Sequence, residues 1–154
     1  MIKIDIYTDG SCLGNPGVGG YACVMQAKNK KKYCSGYSAK PNETNNRMEL
    51  KALICALNWC NNVQKEPCDI TFYTDSQTLI YCSEHSDYSL LAPERKNHDL
   101  WAEFITERDK GKHKISFVKV KGHSDCELNA EADRLAKQMA IKARHVWFEG
   151  VKHV

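Results

Sequence analysis

Two segments of this 154-residue chain end alike: IYTDGS reaches Asp9 and FYTDSQ reaches Asp75. Each sets a carboxylate where an apolar, strand-like run stops and turn-forming residues begin. Two further acids, Glu49 and Asp133, lie in helix-like segments, beside the apolar stripe rather than opposite it. If the two strands run parallel, as a right-handed crossover through the intervening helix allows, the four carboxylates gather at one edge of a sheet. That edge is where open α/β sheets bind ligands. Carboxylates brought together without a fixed cation repel and raise one another's pKa unless divalent metal fills the gap. Hard oxygen donors of this kind point to Mg²⁺ or Mn²⁺. Taken singly, each acid has a plainer use: Asp9-Gly10 as a turn, Asp75 as a helix cap, Glu49 and Asp133 as solvated helix residues. Only their joint placement favours a metal site.

The elements that must deliver this placement are readable in outline. Residues 2–8 alternate, with Ile2, Ile4 and Ile6 on one face, and a Gly-rich loop is expected from Gly10 to Gly20. YACVMQA and KKYCSGYSA read as strands joined by a turn over Lys28 to Lys32. From Thr44, a plausible cap, to Asn62 the period changes: Leu50, Leu53, Ile54 and Leu57 mark an amphipathic helix. DITFYT (69–74) is a short buried strand, and Asp75 or Ser76 can cap a helix to about Ser83. Residues 84–97 have no clear period. Leu100, Trp101, Phe104 and Ile105 indicate a helix, Lys114 to Val120 a strand, and Leu128, Ala132, Leu135 and Met139 a last helix. The spacing Ser124 to Glu127 suits a capping box at its start. Strands first and then strands alternating with helices imply an α/β fold with a mixed sheet. Residues 1–143 are expected to form one catalytic domain, followed by a tail, 144–154, that contains Trp147 and Phe148.

Composition narrows the class. With 42% hydrophobic and 27% charged residues and no long apolar run, the chain is expected to be soluble. Its opening MIKIDIYTDG carries an acid and alternates, unlike a secretory signal, so a cytoplasmic protein is expected. Met1 just before the first strand favours a free-standing protein. Eight cysteines lie mostly within strand-like or helix-like runs and are read as reduced packing residues. Cys82/His85 and His123/Cys126 have short, metal-like spacings, but zinc sites are usually richer in Cys. A net charge of +3 suits a polyanionic partner.

TDGSCLGNPGVGGYA (8–22), TNNRMEL (44–50), YTDSQ (73–77) and VKGHSDCELNAEADRLA (120–136) resemble, in order and spacing, the motifs of the type 1 ribonuclease H family. The resemblance runs over most of residues 2–140. It implies a ribonuclease H-like fold, a five-stranded mixed sheet flanked by helices, and an endonuclease that hydrolyses the RNA strand of RNA/DNA hybrids to 3′-hydroxyl and 5′-phosphate ends. By resemblance, Asp9 bridges two metal ions roughly 4 Å apart, Glu49 and Asp75 complete one site, and Asp133 completes the other. His123 matches a histidine that assists proton transfer or product release. Asn15, Asn45, Asn46 and Gln77 match positions that read the hybrid across its minor groove, and Thr44 and Asn97 match positions that contact the DNA-strand phosphate. The expected partner is the hybrid duplex, bound by a monomer without membrane attachment or organic cofactor.

The chain also departs from the family. SEHSDYSLLAPER replaces the basic, Trp-bearing insertion many relatives carry, and Asn42 stands where some have a basic residue. Fewer neutralised phosphates imply weaker, less salt-sensitive hybrid binding. Three other readings are weaker. GNPGVGG superficially resembles a phosphate loop but lacks the Gly-Lys-Ser/Thr ending and precedes a strand. A DNA-cutting nuclease or recombinase of the same fold would not need the Asn-rich set. A non-enzymatic hybrid-binding module would not need all four acids.

Overall fold

The computed structural model describes residues 1–85, 87–121 and 126–152. Alternation sets the first strand: in β1 (Ile2–Leu13), Ile4, Ile6 and Thr8 are buried, while the intervening Lys3, Asp5, Tyr7 and Asp9 turn to the opposite face. β2 (Gly17–Ala27) and β3 (Lys30–Glu43) pair antiparallel with it as a meander. β4 (Cys68–Thr74) and β5 (Lys114–Lys119) are added in parallel on the other side. The result is one five-stranded mixed sheet in the order β3-β2-β1-β4-β5. β1 therefore lies at the centre, with Asp9 near its carboxyl end and alongside the end of β4.

Helices cover both faces. α1 (Asn45–Val63) connects β3 to β4 and buries Met48, Leu50, Leu53, Leu57 and Cys60. Between α1 and the sheet lies most of the core, including Ile6 of β1 and Ile70 and Phe72 of β4. Each such side chain, removed from water, contributes about 1.5–3 kcal/mol. α2 (Gln77–Glu84) and a short 3₁₀ helix (Tyr88–Leu91) lead to α3 (His98–Asp109), whose Trp101 and Phe104 close the core against α1. α4 (Glu127–Lys152) crosses β1, β2 and β3 on the opposite face with a stripe of buried alanines: 132, 136, 140 and 143.

Two local expectations differ from what is found. The Gly-rich stretch is mostly strand: β1 continues to Leu13 and β2 starts at Gly17, leaving a turn of only three residues. Gly14, at φ 86°, belongs to that turn, whereas Gly10, Gly19 and Gly20 serve helix approach. A Cβ on Gly20 would come within 2.3 Å of the Ala140 backbone nitrogen on α4. The hairpin turn is confined to Lys28 and Asn29, with Lys28 at φ 56°, and β3 runs through Pro41, which an edge strand tolerates. Residues 145–152 continue α4 without a break. Ser124, the expected first member of the capping box, lies outside the described residues, and Glu127 is the first residue of α4.

Candidate active site

Asp9 reaches the site because β1 carries it there, and Glu49 because α1 begins where it does. Thr44 caps the helix, its hydroxyl accepting from the Arg47 amide at 3.2 Å, which places Glu49 one turn in. Gly10 then lets the strand touch the helix. A Cβ at that position would sit 2.3 Å from the Glu49 backbone nitrogen, so no other residue allows this approach without displacing one element. Asp75 follows β4 directly, and Ser76 caps α2 by accepting from the Leu79 amide at 3.1 Å. Asp133 comes from the opposite face, in the second turn of α4.

One carboxylate oxygen from each of Asp9, Glu49 and Asp75 lies within 4.8 Å of the other two. Asp133 joins them across a cleft of about 460 Å³, hydrogen-bonded to Asp9. Burial pushes the Asp9 carboxyl up from 3.8 to about 8, with the Asp133 hydrogen bond and the charge of Asp75 adding to it. The Gly10 amide, donating to Asp9 Oδ1 at 2.8 Å, works the other way. Glu49 is raised to about 7, again by burial first and then by Asp75, against a hydrogen bond from Ser76. The donors are all hard, anionic and mutually repelling, and thus fit a divalent cation. Lys137 lies at the rim, with its Nζ 3.1 Å from Asp133 Oδ2 one helical turn away.

The other predicted residues divide into two groups. Asn45 lines the carboxylate cleft. It is held by its own network: the Asn15 side chain accepts from the Asn45 amide at 3.1 Å, and the Asn45 side chain accepts from the Cys12 amide at 2.9 Å. Asn46 and Asn97 line an adjoining cleft of about 350 Å³ that shares Glu49 with the first. Thr44 serves as cap, and Gln77 is the exposed first residue of α2. His123 lies outside the described residues.

Arg47 is a residue that sequence reasoning passed over. It makes a bidentate pair with Asp99 at 2.9 and 2.7 Å, donates to Asn97 Oδ1 at 3.2 Å, and pairs with Glu43 at 2.9 Å. It thus joins the end of β3, the start of α1 and the start of α3. Asn97 itself is held in the left-handed region at φ 62°. The signal was present, since Arg47 lies inside TNNRMEL, but an arginine in a first helical turn suggests solvent before it suggests a hub. Lys137 could have been found from its spacing of four from Asp133.

A mixed sheet with two carboxylates at the carboxyl ends of its middle strands and two more brought there by helices is a ribonuclease H-like fold with a site suited to a divalent cation. Residues 2–141 match the sequence profile of RNase H. Among curated proteins, ribonuclease H of Caldanaerobacter subterraneus subsp. tengcongensis is 43% identical over 148 residues, covering 90% of this chain and 92% of the relative. Ribonuclease HI of Campylobacter jejuni is 40% identical over 145 residues, covering 92% and 94%. Among solved structures, LC11-RNase H1 in complex with an RNA/DNA hybrid superposes with a TM-score of 0.72 at 25% identity, covering 91% of this chain and 98% of its own. The chain belongs to the type 1 ribonuclease H family of endonucleases.

Proposed function

We propose that this enzyme hydrolyses the RNA strand of RNA/DNA hybrids with two divalent ions, Mg²⁺ or Mn²⁺, and leaves 3′-hydroxyl and 5′-phosphate ends. The observation that carries the reading is the convergence of Asp9, Glu49, Asp75 and Asp133, from four separate elements, in one open cleft. Family membership and the hybrid bound by LC11-RNase H1 support the substrate.

Asp9 interacts with both Asp75 and Asp133 and would be shared between the two ions, while Glu49 and Asp75 would hold one ion and Asp133 the other. When bound, the ions supply activation of the attacking water and stabilisation of the charge on the scissile phosphate and leaving oxygen. The chain's own groups prepare the cleft for them. The Gly10 amide fixes one Asp9 oxygen, Ser76 orients Glu49, and Lys137 restrains Asp133. Asn15, Asn45, Asn46 and Gln77 read the minor groove, where the 2′-hydroxyl separates RNA from DNA. Thr44 and Asn97 take the DNA-strand phosphate, with Arg47 behind Asn97 holding its amide. His123 assists proton transfer or product release.

We assign residues 1–143 to the catalytic domain and 144–154 to a tail, and we place the enzyme in the cytoplasm as a monomer. Among the described residues no helix is long and apolar enough to cross a membrane. End analysis of the cleaved RNA tests the mechanism. Fragments that a polymerase extends without phosphatase treatment are expected, and 2′,3′-cyclic phosphate ends would contradict it.

A further inference from the structure

Three thiols outside the catalytic cleft lie together where α1 meets the edge of the sheet. Cys23 on β2 and Cys34 on β3 face each other in the antiparallel register, and Cys55 comes down beside them from the middle of α1. Cys55 donates a hydrogen bond to Cys34, with the sulfurs 3.4 Å apart. Cys23 is buried, whereas Cys34 and Cys55 are half-buried free thiols. Cys55 also opens onto a cavity of about 630 Å³ between α1 and α3. The pair therefore combines proximity with a route from solvent, which packing cysteines lack.

Their surroundings give the two sulfurs different roles. Hydrogen bonds from Cys23 and then Cys55, together with the charge of Lys32, hold Cys34 well below the ordinary thiol range, against the effect of burial. Lys32 is anchored over the Trp59 ring, 5.3 Å from its centroid, and so stays close to α1. Cys55 is pushed up, by its bond to Cys34 first and burial second, and remains a protonated thiol.

We propose that Cys34 and Cys55 form a peroxide-sensitive dithiol that closes to a disulfide between edge strand β3 and α1, the helix that carries Glu49. The Cys34 thiolate attacks the O–O bond of a hydroperoxide such as hydrogen peroxide: an S–O bond forms and hydroxide leaves. The Cys55 sulfur then attacks the sulfenic sulfur. The S–S bond forms, the S–O bond breaks, and the oxygen leaves as water with the proton of Cys55. Two thiol sulfurs are oxidised and one peroxide is reduced, and a dithiol reductant reverses the change by exchange. Cys55 lies about 9 Å along α1 from Glu49, so the link braces the helix without entering the cleft.

The test uses the full reduced chain, treated with stoichiometric hydrogen peroxide in chelator, alkylated and mapped by mass spectrometry. A Cys34–Cys55 link is expected as the first oxidation product, reversed by dithiothreitol, with a melting temperature raised by about 5 °C. In Cys55→Ser, Cys34 should instead accumulate as a dimedone-reactive sulfenic acid, while cleavage activity is unchanged. Oxidation of Cys12 or Cys82 ahead of Cys34, or a Cys23–Cys34 link in place of Cys34–Cys55, would overturn the proposal.

Discussion

Asp9 is held between opposing demands: β1 and Gly10 deliver it to the cleft, and burial there disfavours the charge that a metal ligand must carry. Without metal, then, the site is a stability cost. Asp9→Asn should abolish cleavage yet leave the chelator-treated protein as stable as the parent or more so by calorimetry. A large loss of melting temperature would make Asp9 structural. The same physics sets a pH dependence. Folding raises Asp9 from 3.8 to about 8 and Glu49 from 4.5 to about 7, so in that window the native state retains protons the unfolded chain has released. Their contribution to stability is full below about pH 4 and is lost as pH rises toward 8. The gain from Asp9→Asn should accordingly be near zero at pH 4 and grow to pH 8 in chelator, and saturating Mg²⁺ should reverse its sign. A gain that shrinks with rising pH would contradict the assignment. The four acids were legible because strand endings and helical period place them. Lys137 left a signal only in its spacing of four from Asp133, and Arg47 was hidden because its partners Asn97 and Asp99 lie 50 and 52 residues away.

At the scale of elements, the site depends on how closely β1 and α4 meet their neighbours, and glycine controls both contacts. Gly10→Ala drives a methyl into the Glu49 backbone, so β1 and α1 must part. Overpacking of this kind costs about 1–3 kcal/mol, and a displaced Glu49 should lower activity tenfold or more. Gly150→Ala in α4 meets nothing within 4 Å and serves as control, with activity unchanged and stability equal or up to about 1 kcal/mol higher. Equal effects from the two substitutions would show that the close approach is unimportant. These contacts explain where sequence reading of the fold succeeded and stopped. Apolar period reveals α1 and β1 directly, since each buries one face. The glycines between residues 10 and 20 read as a loop because local propensity is blind to a helix arriving from over a hundred residues away. The 3₁₀ helix at Tyr88–Leu91 buries only Leu90 and left no period to detect.

For the whole molecule the question is how a chain of net charge +3 grips a polyanion without the basic insertion of many relatives. In its place stands the short 3₁₀ helix, followed by Arg95 and Lys96 on the rim of the cleft beside Asn97. Few phosphates can be neutralised there, so hybrid affinity should fall less steeply with salt than in a relative bearing the insertion. Titrations of both proteins across a salt series check this, and an equal or steeper slope would require another basic surface. In the proposed reaction the carboxylate cleft and the asparagines beside it cut RNA only when it is paired with DNA. Matched RNA/DNA, RNA/RNA and DNA/DNA duplexes incubated with Mg²⁺, with Mn²⁺ and with chelator test it most directly. Metal-dependent cleavage confined to the RNA strand of the hybrid is predicted; cleavage of the DNA duplex, or binding of the hybrid without any cleavage, would contradict it.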